Sequence, residues 1–200
     1  MKTLTIVRHA TAVARDEKKP DFARKLRKKG RKEAQTIAGR FAKRQLIPDL
    51  ILTSAAPRAA ETAEMFAAAL EYDKSAIQAS EELYELGDAT ALLDLIKTFD
   101  EKMAHVVIVG HDPLLSDFVH LMIPEFELAL PKCAIAQISS RRKFWRNLQT
   151  GDGTLEFYEY PVKMPDKNVV TAAIRKEFNS QLQKSISTVF DAFHIKNKTA

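Results

Sequence analysis

Three apolar runs constrain the fold of this chain more than any other feature. LTIV (residues 4–7), LILT (50–53) and HVVIVG (105–110) are nearly continuous in apolar residues. A strand with one wet face alternates, whereas a strand covered on both faces does not. Helical patterns separate and follow these runs. Residues 32–43 place Ala34, Ile37, Ala38, Phe41 and Ala42 on one side. Residues 57–70 open with proline, which suits a first helical turn, and continue Ala-rich. Residues 90–102 present Leu92, Leu93, Leu95, Ile96 and Phe99, and 113–122 again open with proline. Further strands are expected over 76–80, 133–139 and 154–160. The alternation predicts an α/β fold: three layers, α/β/α, with a mostly parallel central sheet and right-handed crossovers. The last two strands flank GDG (151–153) and are expected to form an antiparallel hairpin at one edge.

At 200 residues and 46% apolar content the chain can bury a full core as one domain. A helical extension is expected over 164–200, because Val170, Ile174, Phe178, Leu182, Ile186, Val189 and Phe193 recur at helical spacing. The core domain is then 1–163. No run is long enough to span a membrane, and the N-terminus reads as a strand rather than a signal peptide. Cys133 is the only cysteine, so no intrachain disulfide can form and a reducing cytoplasm is expected. Its apolar setting, CAIAQI, reads as a small buried hydrophobe. The net charge of +5 favours anionic substrates or partners. Cations concentrate in RKLRKKGRK (24–32) and KFWRN (143–147) and read as solvated faces. The first cluster has no interleaved aromatics and matches no nucleic-acid motif, so neither nucleic acid nor membrane is an expected partner.

In open α/β sheets, ligands bind beyond the carboxyl ends of the strands. The first run ends in Arg8 and His9, the second in Ser54 with Arg58 at the start of its helix, and the fourth strand in Gly110 and His111. Glu82 and Glu85 follow the third. Two arginines, two histidines and a carboxylate would meet on one face. That set suits phosphoryl transfer. Arginine's planar fork binds phosphate oxygens through paired, charge-assisted bonds. An unprotonated imidazole nitrogen can attack phosphorus, and a carboxylic acid can protonate the leaving atom. Cations stabilise the transferring group. No histidine pair has i, i+4 spacing and the cysteine is alone, so neither a metal nor another cofactor is expected. His105, His120 and His194 read as structural.

RHA (8–10), TSAAPRAAETAE (53–64) and VGHDP (109–113), in this order and at these strand ends, resemble the histidine phosphatase superfamily, with its phosphoglycerate mutase-like fold. The resemblance spans roughly residues 2–160. It implies that His9 is the nucleophile that becomes phosphorylated, that Arg8, Arg58 and His111 form the phosphate pocket, and that Glu85 in LYE is the proton donor, with Glu82 as the alternative. FARKLRKKG resembles the family's Arg-x-Leu-x-x-x-Gly segment, which implies a place for Arg24 at the pocket rim; Ser54 is assigned to substrate binding with it. Ala10 replaces the family's glycine after the histidine, a substitution that matters if the backbone there needs positive φ.

The intervals from Arg58 to Glu85 to His111 leave no room for the covering insertions found in many members. An uncapped pocket suits a phosphate on a large partner. The layout is similar to the small SixA-type phosphohistidine phosphatases, which implies hydrolysis of phosphohistidine on a signalling protein. The alternatives are a broad phosphomonoesterase acting on small molecules and a phosphate-binding pseudoenzyme.

Overall fold

The computed structural model describes residues 1–18 and 20–161 of the chain. The elements, in order, are β1 (Lys2–Arg8), α1 (Lys28–Ala42), β2 (Leu50–Ser54), α2 (Pro57–Ala69), β3 (Gln78–Ser80), α3 (Glu82–Glu85), α4 (Ala89–Lys97), β4 (His105–Gly110), α5 (Leu114–Met122), β5 (Ile135–Ser140) and β6 (Thr154–Glu159). They belong to a unit spanning Met1–Pro161. The extension expected over 164–200 lies outside the described residues. No helix among the described residues is long and apolar enough to cross a membrane.

The sheet runs β3-β2-β4-β1-β5-β6. β3, β2, β4 and β1 are mutually parallel where they pair. β5 is antiparallel to both β1 and β6. Side chains alternate across the sheet, and the two faces sort cleanly. Leu4, Ile6, Leu52, Val106 and Ile108 pack with Leu92 and Ile96 of α4 and with Leu115 and Phe118 of α5. Val7, Ile51, Val107 and Val109 pack with Ile37 and Phe41 of α1 and with Ala63 and Phe66 of α2. This is the expected three-layer α/β/α arrangement, and it explains the unbroken apolar runs: both faces of β1, β2 and β4 are dry.

Three local differences have physical causes. The edge pair β5–β6 is antiparallel as expected, but residues 141–153 join it rather than a tight turn. The connection is anchored by Trp145, fully buried, whose indole N–H donates to the Met103 carbonyl (2.9 Å). β3 is only Gln78–Ser80, because a 3-10 turn capped by the Asp73 side chain takes Lys74–Ala76. α1 begins at Lys28, inside the basic run and ahead of its apolar stripe. That start brings Gly30 against the loop after His9. A Cβ on Gly30 would lie 2.0 Å from the Thr11 carbonyl oxygen. Helix propensity alone predicts that Gly30→Ala stabilises by up to about 1 kcal/mol. The clash with backbone predicts a net loss of roughly 1–3 kcal/mol. Chemical denaturation checks the sign, and a higher midpoint in the variant would refute the close packing.

Candidate active site

The carboxyl ends of β1, β2 and β4 lie side by side, with Arg8 in register with Gly110. His9 is the first residue beyond β1. Its N–H donates to the Gly110 carbonyl (2.9 Å), and its carbonyl accepts from the Cys133 N–H (3.1 Å). Its main chain is therefore held from β4 on one side and from the segment leading into β5 on the other. Cys133 adopts φ 62° to make this contact. Its thiol is buried and pushed up to about 12, chiefly by burial, so it stays protonated and unreactive.

The His9 ring is buried, with 7% exposure. Nδ1 lies 2.7 Å from the Ala10 carbonyl, so Nδ1 carries the proton and Nε2 the lone pair. Burial pushes the His9 pKa down to about 4, and the charges of Arg58, Arg8 and Arg24 push the same way against the Ala10 hydrogen bond. His111 stands beside it, with ring centroids 5.0 Å apart. Its pKa is pushed down to about 3, again chiefly by burial. Nε2 of His111 lies 2.8 Å from the Ser54 hydroxyl oxygen, which also accepts from the Ala56 N–H (3.3 Å). This contact, with Ser54 in β2, fixes the orientation of the His111 ring.

The arginines come from two directions. Arg58, in the first turn of α2, is 4% exposed. Its Nη2 pairs with Asp21 Oδ2 (2.8 Å) and its Nη1 donates to the Asp21 carbonyl (2.7 Å). Arg8 Nη1 reaches the Leu130 carbonyl (2.6 Å) and Asp112 Oδ2 (2.7 Å). Asp112 is held in turn by the Ser116 hydroxyl, which accepts from the Leu130 N–H. Arg24 bonds Asp21 Oδ1 (2.6 Å) and the Val13 carbonyl (2.9 Å). The Arg24 bond is the main reason the Asp21 carboxyl is held below the usual carboxylate range. Three buried side-chain nitrogens have no hydrogen-bond partner among the described residues: Arg8 Nε, Arg58 Nε and His111 Nδ1. Buried polar nitrogens are normally satisfied, and these three exceptions all belong to residues at the strand ends.

The family model of the histidine phosphatase superfamily, branch 1, matches residues 4–106, which include His9, Arg58 and Glu85. The chain belongs to the histidine phosphatase superfamily. SixA from Agrobacterium tumefaciens is 26% identical, with a TM-score of 0.67 over 80% of this chain and 99% of that one. The protein histidine phosphatase SixA complexed with tungstate is 24% identical, with a TM-score of 0.68 over 80% and 97%. The mycobacterial glucosyl-3-phosphoglycerate phosphatase complexed with VO3 is 15% identical, with a TM-score of 0.59 over 80% and 100%. No curated protein sequence matches the chain.

This histidine phosphatase, a hydrolase, departs from its family's glycine at Ala10, and the structure removes the expected conflict. Among the described non-glycine residues only Gln45, Glu71 and Cys133 have positive φ. Ala10 is fully buried among Val7, Leu26 and Ala34, and its N–H donates to Thr62 Oγ1 (3.2 Å). The methyl group fills core space, and Thr62, which also donates to the Arg58 carbonyl (2.7 Å), ties the loop to α2.

Glu82 and Glu85, at the two ends of α3, are exposed, and neither carboxylate has a partner among the described residues. The side chain of α3 that meets the site is Tyr84. It stands edge-on to His111 (5.3 Å) and to Phe22 (5.0 Å), with the Arg58 guanidinium 5.8 Å from its ring. Sequence reasoning missed Tyr84, Asp21, Thr62 and Asp112. Asp112 had a signal, adjacency to His111 in GHDP. Tyr84 sits inside LYE. Thr62 is one turn after Arg58 on the same helix face. Asp21, in a polar loop, had none.

The neutral burial of His9 has a consequence for stability. An unfolded histidine takes a proton near pH 6.5, whereas native His9 does so only near pH 4. Between these values the unfolded state binds more protons, so stability falls as pH falls. At pH 5 the loss from His9 alone is about 2 kcal/mol. His111 and His105 have lowered pKa values too and add in the same direction. The melting temperature is expected to hold from pH 8 to 7 and to drop between pH 6.5 and 5, above the range where carboxylates titrate. An unchanged melting temperature across that window contradicts neutral burial.

Proposed function

We propose that this enzyme hydrolyses phosphohistidine on a protein, through a phosphorylated His9. The observation that carries the reading is the neutral, pinned His9 ring beside His111, with the unpartnered Nε atoms of Arg8 and Arg58 in the same site. Nε2 of His9 attacks phosphorus. The bond from phosphorus to the substrate imidazole breaks, and that imidazole nitrogen takes a proton. Water then attacks phospho-His9, releasing inorganic phosphate and returning the electron pair to Nε2. Arg8, Arg58 and His111 bind the phosphoryl oxygens and stabilise their charge in both steps. Glu85 is the proposed proton donor and Glu82 its alternative; the lability of a P–N bond lowers the demand on either. Arg24 contributes at the rim. Ser54, fully buried, acts by holding His111 Nε2.

The protein substrate is supported by what lies between Arg58 and His111. The chain there holds only the rest of α2, a 3-10 turn, β3, α3, α4 and β4, with no inserted segment to cover the strand ends. Turnover of a phosphohistidine protein and of small phosphate monoesters, measured side by side, tests the reading. A higher kcat/KM on the phosphohistidine protein is expected. A higher value on the esters would replace it with the small-molecule phosphatase.

A further inference from the structure

The basic run 24–32 holds seven Lys and Arg and no acidic residue. The whole chain is only +5, so the remainder is slightly acidic. The structure places this run beside the loop that follows His9. Arg27 N–H donates to the Thr11 carbonyl (3.0 Å), two residues after His9, and Val13 N–H donates to the Lys25 carbonyl (2.9 Å). Ala12 and Leu26 pair as an antiparallel bridge. Leu26 points inward at 2% exposure, so its neighbours Lys25 and Arg27 point outward, and both are exposed.

Part of the charge is neutralised locally. Arg24 pairs with Asp21, Lys29 with Glu33 and Arg31 with Glu61. Lys25, Arg27 and Lys28 are exposed and have no ion pair among the described residues. Their placement also opposes the helix they begin. Arg27 caps α1, and its first turn contains no acidic residue. The N-terminal end of a helix carries positive potential, so cations there are destabilising, as is their mutual repulsion. A local rule broken beside the loop that carries His9 is an expected mark of function.

We propose that Lys25, Arg27 and Lys28 dock an acidic surface flanking the phosphohistidine of the protein substrate. The proposal rests on the phosphohistidine reading above and adds which phosphoproteins are chosen. Complementary charge at the rim raises the encounter rate and selects partners, and it acts within about a Debye length of the phosphate. A protein is favoured over a nucleic acid because residues 24–32 include no aromatic side chain on which bases could stack.

Synthetic phosphohistidine peptides with Asp/Glu flanks, neutral flanks and Lys/Arg flanks, together with free N-phosphohistidine, test it. At about 50 mM salt, kcat/KM for the acidic peptide relative to the free amino acid is expected to be at least about tenfold higher than for the other two peptides. The preference is expected to collapse near 500 mM salt. Lys25→Glu, Arg27→Glu and Lys28→Glu together are expected to abolish it. The same triple variant relieves the conflict with the helix end, so its melting temperature is expected to hold or rise, which separates lost docking from lost folding. No flank preference, or one that survives the triple variant, overturns the docking proposal while turnover of free phosphohistidine upholds the pocket. No turnover of any phosphohistidine probe overturns both. Tighter, salt-sensitive binding of a duplex oligonucleotide than of the acidic peptide, through the same three residues, overturns it in favour of a nucleic acid.

Discussion

His9→Ala is expected to lower turnover at least about a thousandfold and to abolish the phosphoenzyme. Among the described residues no second nucleophile is placed to replace it. The Nε2 atom of His111 is engaged by Ser54, and the Cys133 thiol is buried and protonated. What remains is the proposed clamp, which is expected to hold phosphate without attacking it. The check is a radiolabelled phosphoryl donor followed by alkaline gel electrophoresis, since phosphohistidine survives alkali and not acid. Wild-type enzyme should show an acid-labile label and His9→Ala none. Retained label in the variant would move the nucleophile elsewhere. Binding of orthovanadate by the variant, read by thermal shift, shows that the clamp is still folded.

Arg58→Ala is expected to lower kcat/KM by about 10²- to 10³-fold, the usual loss when one charge-stabilising donor is removed. Its effect on pH dependence is more specific. Burial chiefly keeps the His9 ring neutral, against the Ala10 bond, and the Arg58 charge is the largest of the charges that add to it. Removing the charge should move the acid limb of kcat/KM upward from near pH 4. Arg58→Lys keeps a charge and loses the planar fork, so it should leave the limb nearer its original place while recovering little rate. Equal acid limbs in wild type and Arg58→Ala would show that Arg58 does not act on His9. Asp21, about one-third exposed, keeps its bond to Arg24 and can be solvated where Arg58 is lost.

Most of the layout was legible because it is written in local patterns. Buried strands announce themselves as unbroken apolar runs, and the residues after them, His9, Arg58 and His111, fall where ligands bind in such sheets. The structure brings these together, with two imidazoles 5.0 Å apart from strands separated by about a hundred residues of chain. The start of α1 was less legible, because a run of cations with a glycine in it has no apolar period to read. Gly30 belongs to the helix for a reason outside the helix, the Thr11 carbonyl against it.

The chain's own order of residue types was enough for the three-layer fold, the candidate nucleophile and the candidate clamp, since period, strand ends and side-chain chemistry are local properties. Folding settled how those groups are poised. Arg8 is aimed by Leu130, 122 residues away, and Arg58 is held by Asp21 from a loop 37 residues earlier. Tyr84 rather than a neighbouring glutamate meets His111, and Ala10 is at ease because its φ is ordinary and its methyl group is packed. The neutrality of His9 belongs to the same class. An imidazole loses its charge through exclusion of water and through nearby cations, and the groups that do both come from segments distant in sequence that only the folded chain assembles.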